Sequence, residues 1–114
     1  MDPRIGVAGA KPPGTELSVR IETDAAGIPV VYVSGELDSS NLDGFRQAID
    51  PVISPAPERV VFELTELRFL DSAAIALLVE LATGPCPVEV RNPTRIVRKV
   101  IAITGLTELL HLAS

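Results

Sequence analysis

Three groups of residues in this 114-residue chain could carry chemistry. The first is the step Asp71-Ser72, a hydroxyl beside a carboxylate just before an apolar segment. A serine nucleophile needs a base to take its proton, and the single histidine, His111, lies far along the chain with no acid placed to orient it. Catalysis by Ser72 is therefore not expected. By residue type alone, the pair reads either as a helix N-cap or as a site of regulation. The second group is Glu36 and Asp38, acids of a Gly-Glu-Leu-Asp segment. Paired acids can do acid/base work, but no aromatic platform for a substrate accompanies these two. They read as a cap for the following helix or as contacts for a partner. The third is Cys86, between two prolines and without a basic neighbour: a packed thiol or a redox sensor. One cysteine and one histidine cannot make a structural zinc set, so no metal is expected, and no glycine-rich phosphate loop implies a nucleotide.

Charge narrows the partners. The net charge is −5, which argues against direct nucleic-acid binding. Residues 15–89 hold 13 acids and 4 bases, whereas 91–99 hold Arg91, Arg95, Arg98 and Lys99 and no acid. That basic group is either a solvated face or a surface that orients an acidic protein partner. No apolar run is long enough to span a bilayer, and the start lacks the order of a secretory signal, so a cytoplasmic protein is expected.

The elements that must position these residues follow from periodicity. Residues 1–14 are rich in proline and glycine and read as a flexible tail, leaving 15–114 as one domain. Leu17, Val19 and Ile21 alternate with polar residues as a half-buried strand does, and Asp24 to Gly27 turn the chain into a second strand through Val33, an antiparallel hairpin. Leu42, Phe45, Ala48 and Ile49 share a helical face, with Pro51, Pro55 and Pro57 expected to stop that helix. Arg59–Leu64 reads as an interior strand covered on both sides, and Thr65–Leu70 as a connection. Asp71 or Ser72 opens a second helix running to Thr83, with Ile75, Leu78, Val79 and Ala82 inward and Leu77 nearer the outside. Pro87–Val90 is a fourth strand. A third helix then buries Ile96, Val97, Val100 and Ile101 and ends at Gly105, before a short terminal helix with Leu106, Leu109, Leu110 and Leu112. The result is an α/β domain: a mixed sheet of about four strands, antiparallel at its start and otherwise mostly parallel, with three to four helices. In such folds, sites gather where strands end and helices begin.

Three blocks at these junctions, in order, resemble the anti-sigma factor antagonist branch of the STAS domain family. They are Val33-Ser34-Gly35-Glu36-Leu37-Asp38, the run from Phe62 to Ser72, and Asn92-Pro93-Thr94 through Thr104-Gly105-Leu106. The resemblance implies a non-enzymatic regulator that works by partner switching. Its unphosphorylated form would bind an anti-sigma factor, itself an ATP-dependent serine kinase, and free the sigma factor. Phosphorylation of the serine that matches Ser72 would release it, and a serine phosphatase would reset it. ATP and magnesium would belong to the kinase, leaving this chain without a cofactor. Carried onto this sequence, the partner-binding residues are Glu36, Asp38, Asp71, Ser72, Ala73, Ala74 and Leu77. The family's usual Asp-Ser-Ser/Thr-Gly stands here as Asp71-Ser72-Ala73-Ala74, a change that a helical first turn accommodates. The alternative is a STAS scaffold, never phosphorylated, that binds other regulatory proteins. A monomer is expected.

Overall fold

The computed structural model describes residues 16–103 and Gly105. The expected tail at 1–14 and the terminal helix at 106–112, with His111, lie outside the described residues.

Strand β1 (Ser18–Thr23) pairs antiparallel with β2 (Pro29–Leu37), in register from Ser18 opposite Ser34 to Thr23 opposite Pro29. The turn between them is closed by its own side chain. Asp24 Oδ1 accepts the Ala26 and Ile28 N–H groups at 2.8 and 2.9 Å, and Gly27 supplies the positive φ of 82° that the bend requires. As the outermost strand, β1 covers its apolar side incompletely, so Ile21, expected inward, is 40% exposed.

Helix α1 (Leu42–Ile53) follows β2 and leads to β3 (Val60–Glu63), which pairs parallel with β2 at residues 30–32. Pro51 lies inside α1 and does not end it. Its fixed φ suits the helix, and the turn it begins carries Val52 and Ile53 onto the core, which offsets the lost hydrogen bond.

The segment expected to be a simple connection forms a fifth strand, β4 (Leu67–Leu70). It pairs parallel with the far end of β2, with Gly35 opposite Leu67 and Leu37 opposite Leu70. The register slips by one residue between Gly35 and Glu36, where β4 carries Arg68 as the extra residue and Gly35 of β2 takes φ 93°. Helix α2 (Ser72–Ala82), β5 (Val88–Arg91) and α3 (Arg95–Ile103) complete the described chain. Beyond α3, Gly105 adopts φ 76° and donates its N–H to the Ala102 carbonyl at 3.1 Å, as a C-terminal glycine does.

The sheet order is β1-β2-β3-β5, with β4 beside β2. From β2 to β3 to β5 the crossovers step one way, and right-handed connections then set the helices on one face. The core lies there: Val31, Val33, Phe62 and Val90 meet Phe45, Leu78, Val97 and Ile101. Strand β3 is buried on both sides, as expected, with Val60, Val61 and Phe62 at most 1% exposed. Its Val61 joins a small cluster with Ile28, Val30 and Tyr32 on the other face. Val97 and Ile101 of α3 are buried as expected, but Ile96 points away and is 57% exposed. Among the described residues no helix is long and apolar enough to cross a membrane.

Candidate functional site

Two junctions meet at one end of the sheet, where β2 leads into α1 and β4 leads into α2. The β2 junction is held by its own polar side chains. Asn41 is the N-cap of α1 but makes no side-chain bond to that helix. Its Oδ1 instead accepts the Asp38 N–H at 3.0 Å while its Nδ2 donates to the Glu36 carbonyl at 2.9 Å. Asp38 Oδ1 accepts the N–H and hydroxyl of Ser40. Asp38 therefore closes the turn that precedes α1 rather than capping the helix itself.

The β4 junction is organised by Asp71. Its backbone N–H donates to the Leu37 carbonyl at 3.2 Å, ending the β2–β4 ladder. Its extended backbone then turns the side chain back on α2, and Oδ1 accepts the Ala74 N–H at 2.9 Å, the bond of an N-cap. The other oxygen, Oδ2, accepts the Ser39 N–H at 3.1 Å across from the first junction. One carboxylate therefore ties both loops together. Ser72 follows as the first residue of α2 and is exposed, with Ala73 half-buried beside it.

Of the residues singled out from sequence, Glu36, Asp38, Asp71, Ser72 and Ala73 come together at this end and reach the surface. Ala74 and Leu77 do not. Ala74 is fully buried under the first turn, and Leu77 is 1% exposed, packed in the core. The expected outward placement of Leu77 fails because α2 is apolar almost all round, so its sequence carries no phase. Packing against the sheet sets that phase and turns Ala74, Leu77 and Leu78 inward. Leu77 thus presents no docking surface beside Ser72.

Phe69 was missed. It sits opposite Glu36 in the β2–β4 ladder and is 44% exposed, an aromatic ring at the edge of the site. A signal existed: the chain has three phenylalanines, and the other two, Phe45 and Phe62, are core residues with ring centroids 6.2 Å apart.

The remaining candidates lie elsewhere. Arg91 pairs with Glu89 at 2.6 Å on β5, apart from the cations of α3. Cys86 is buried, its thiol set 3.4 Å from the Pro57 carbonyl, and desolvation pushes its pKa above that of an ordinary thiol. It is held in the protonated, unreactive form. Among the described residues no group of three or more His, Cys, Asp or Glu side chains is placed to hold a metal ion.

A five-stranded mixed sheet with the described helices on one face, and a hydroxyl displayed where β4 gives way to α2, defines a small α/β domain. The family model described as Mlab, STAS domain matches residues 21–111, and the chain belongs to this STAS family. Its fold is similar to that of an anti-sigma factor antagonist from Mycobacterium paratuberculosis, with TM-score 0.77 and 28% identity over 90% of this chain and 88% of that one. It is also similar to the anti-sigma factor antagonist SpoIIAA in its unphosphorylated form, with TM-score 0.65 and 25% identity over 85% of this chain and 89% of that one. The Bacillus cell fate determinant SpoIIAA in its phosphorylated form shares the fold at TM-score 0.61 and 24% identity, over 85% of this chain and 92% of that one. No curated protein matches the sequence.

Proposed function

We propose that this chain is a cytoplasmic anti-sigma factor antagonist, a binding protein rather than an enzyme, whose docking surface is the pair of loops tied together by Asp71. Unphosphorylated, it binds an anti-sigma factor with serine kinase activity and thereby frees a sigma factor. Phosphorylation of Ser72 ends the complex, and a serine phosphatase restores it. The observation that carries this reading is the placement of Ser72: an exposed hydroxyl on the first residue of α2, held by a cap that also fixes the neighbouring loop. The similarity to SpoIIAA, a protein of the same fold solved with and without its phosphate, supports it.

The switch works at the surface. A phosphate on Ser72 adds about −1.5 to −2 charges at pH 7 beside Asp71, close to the loop that carries Glu36 and Asp38. The free N–H groups of the first helical turn accommodate it, so the fold survives. A partner surface shaped to a neutral hydroxyl instead meets like charge and an unpaired anion, and a loss of about 2.7 kcal/mol lowers affinity roughly a hundredfold. Phe69 contributes the apolar contact that such a polar patch otherwise lacks.

The test is capture from source-cell lysate with wild-type, Ser72→Ala and Ser72→Asp baits, with mass spectrometry of the captured proteins and of residue 72. The expected result is a kinase-type anti-sigma factor held by wild type and the alanine variant and lost by the aspartate variant. Equal capture of one partner by all three, with residue 72 never modified, would replace the switch with a STAS scaffold that binds without phosphorylation.

A further inference from the structure

At the opposite end of α1 and α2 from Ser72 lies a cavity of about 600 Å³ that the partner-switch reading leaves unused. Its floor is core: Ile49, Leu77, Cys86 and Val88 are each buried. Ile53, Leu81 and Pro85 extend the apolar wall toward the surface. The volume falls within the range of pockets that enclose a small organic molecule, and the lining has the usual composition of apolar walls with a few polar groups at the mouth.

Those polar groups select the ligand. Arg46 of α1 and Glu80 of α2 span the mouth as a two-pronged pair, Nη1 to Oε2 at 2.5 Å and Nη2 to Oε1 at 3.1 Å. The pairing consumes the guanidinium: it raises the Arg46 pKa and lowers that of Glu80, each chiefly through this hydrogen bond. Asp50 adds a second carboxylate to the lining, one helical turn beyond Arg46. The charged groups of the wall are thus two carboxylates and one guanidinium, with the guanidinium already engaged. Pro51, also in the wall, has no N–H to give to the Gln47 carbonyl, which adds acceptor capacity on the same side.

We infer that this cavity is a binding site for a small apolar molecule bearing a protonated amine. The apolar body occupies the space above Ile49, Leu77 and Val88, and the ammonium group lies at the mouth beside Asp50. Anionic amphiphiles are disfavoured there, because the one cation at the mouth is already paired.

The test uses 1-naphthylmethylamine, protonated at pH 7, titrated into the full chain with amide shifts followed by two-dimensional NMR. 1-Naphthylacetate, with the same rings and the opposite charge, is titrated in parallel. The expected result is saturable shifts confined to residues 46–53 and 77–88, at least tenfold tighter binding of the amine, and a several-fold loss of that preference in Asp50→Asn. Asp50 is exposed, so the variant keeps the fold, which unchanged amide positions outside the cavity verify. A Leu81→Trp variant, which fills the mouth, should abolish the shifts. Absence of saturable shifts at those residues up to millimolar amine would overturn the inference. So would equal affinity for the two compounds, or shifts centred on residues 36–41 and 69–73.

Discussion

Asp71 bears on two junctions through two oxygens, which makes its removal more costly than the loss of an ordinary cap. Asp71→Ala deprives the Ala74 N–H of its acceptor and releases the Ser39 N–H as well. The expected loss is about 1–2 kcal/mol of stability in urea unfolding. Asp71→Asn keeps one acceptor and should lose about half of that. A change below about 0.5 kcal/mol for the alanine variant would mean that the loops are held by other contacts. Asp24 makes a comparable arrangement in the hairpin turn, where its carboxylate accepts the Ile28 and Ala26 N–H groups. The Ile28 bond is the main reason that its pKa lies below the ordinary carboxylate value, with further help from the charges of Arg91 and Arg59. Because the folded form binds the proton less tightly, this contribution to stability is complete above the unfolded-state pKa of about 4 and is lost as pH falls through the lower folded-state value. Asp24→Asn should therefore flatten the decline of stability below about pH 4, measured by unfolding at pH 5, 4, 3 and 2, and leave unchanged the dependence nearer neutrality.

Strand β2 is the element on which the site depends, since its far end must leave β3 and accept β4 for the two loops to meet. Gly35 permits this with φ 93°, a backbone region that disfavours any side chain. Gly35→Ala should cost about 1–2 kcal/mol. Gly44 offers the contrast: it lies in α1, with nothing within 4 Å of the position a Cβ would take, and Gly44→Ala should stabilise by about 0.5–1 kcal/mol. Urea midpoints for the pair check both signs, and equal effects would show that the bend does not depend on glycine. The same strand marks the limit of what the sequence made legible. The hairpin, the three helices and β3 and β5 were readable because alternation, helical spacing and turn residues are local signals. Strand β4 was not. Its four residues, Leu67-Arg68-Phe69-Leu70, show no alternation, and they become a strand through pairing with residues distant in the chain. Pro51 misled for a related reason: the proline signal is local, whereas the packing of Val52 and Ile53 that carries α1 past it is not. At the site, the order of residues announced Asp71 and Ser72, but the phase of α2, and with it the burial of Leu77, is decided by tertiary packing.

Across the molecule, every helix among the described residues serves one face of the sheet, and among those residues the other face covers itself. It does so with charged side chains laid over a small apolar patch. Arg20 sits 4.2 Å from the centre of the Tyr32 ring and pairs with Glu22 at 2.7 Å, while Glu89 on β5 is flanked by Arg59 and Arg91. The domain thus separates its tasks: the helical face buries the core, the ends of α1 and α2 carry the two candidate sites, and the second face keeps the sheet from sticking to others.

The double pairing of β2 also sets a schedule during synthesis. The hairpin can close once Leu37 has emerged from the ribosome, but Val30-Val31-Tyr32 on the other edge of β2 stay open until β3 through Glu63 follows, and the far end of β2 until β4 through Leu70. At translation speeds of about 5–20 residues per second, these stretches wait roughly 1–7 s, long enough for nascent chains on neighbouring ribosomes to meet there.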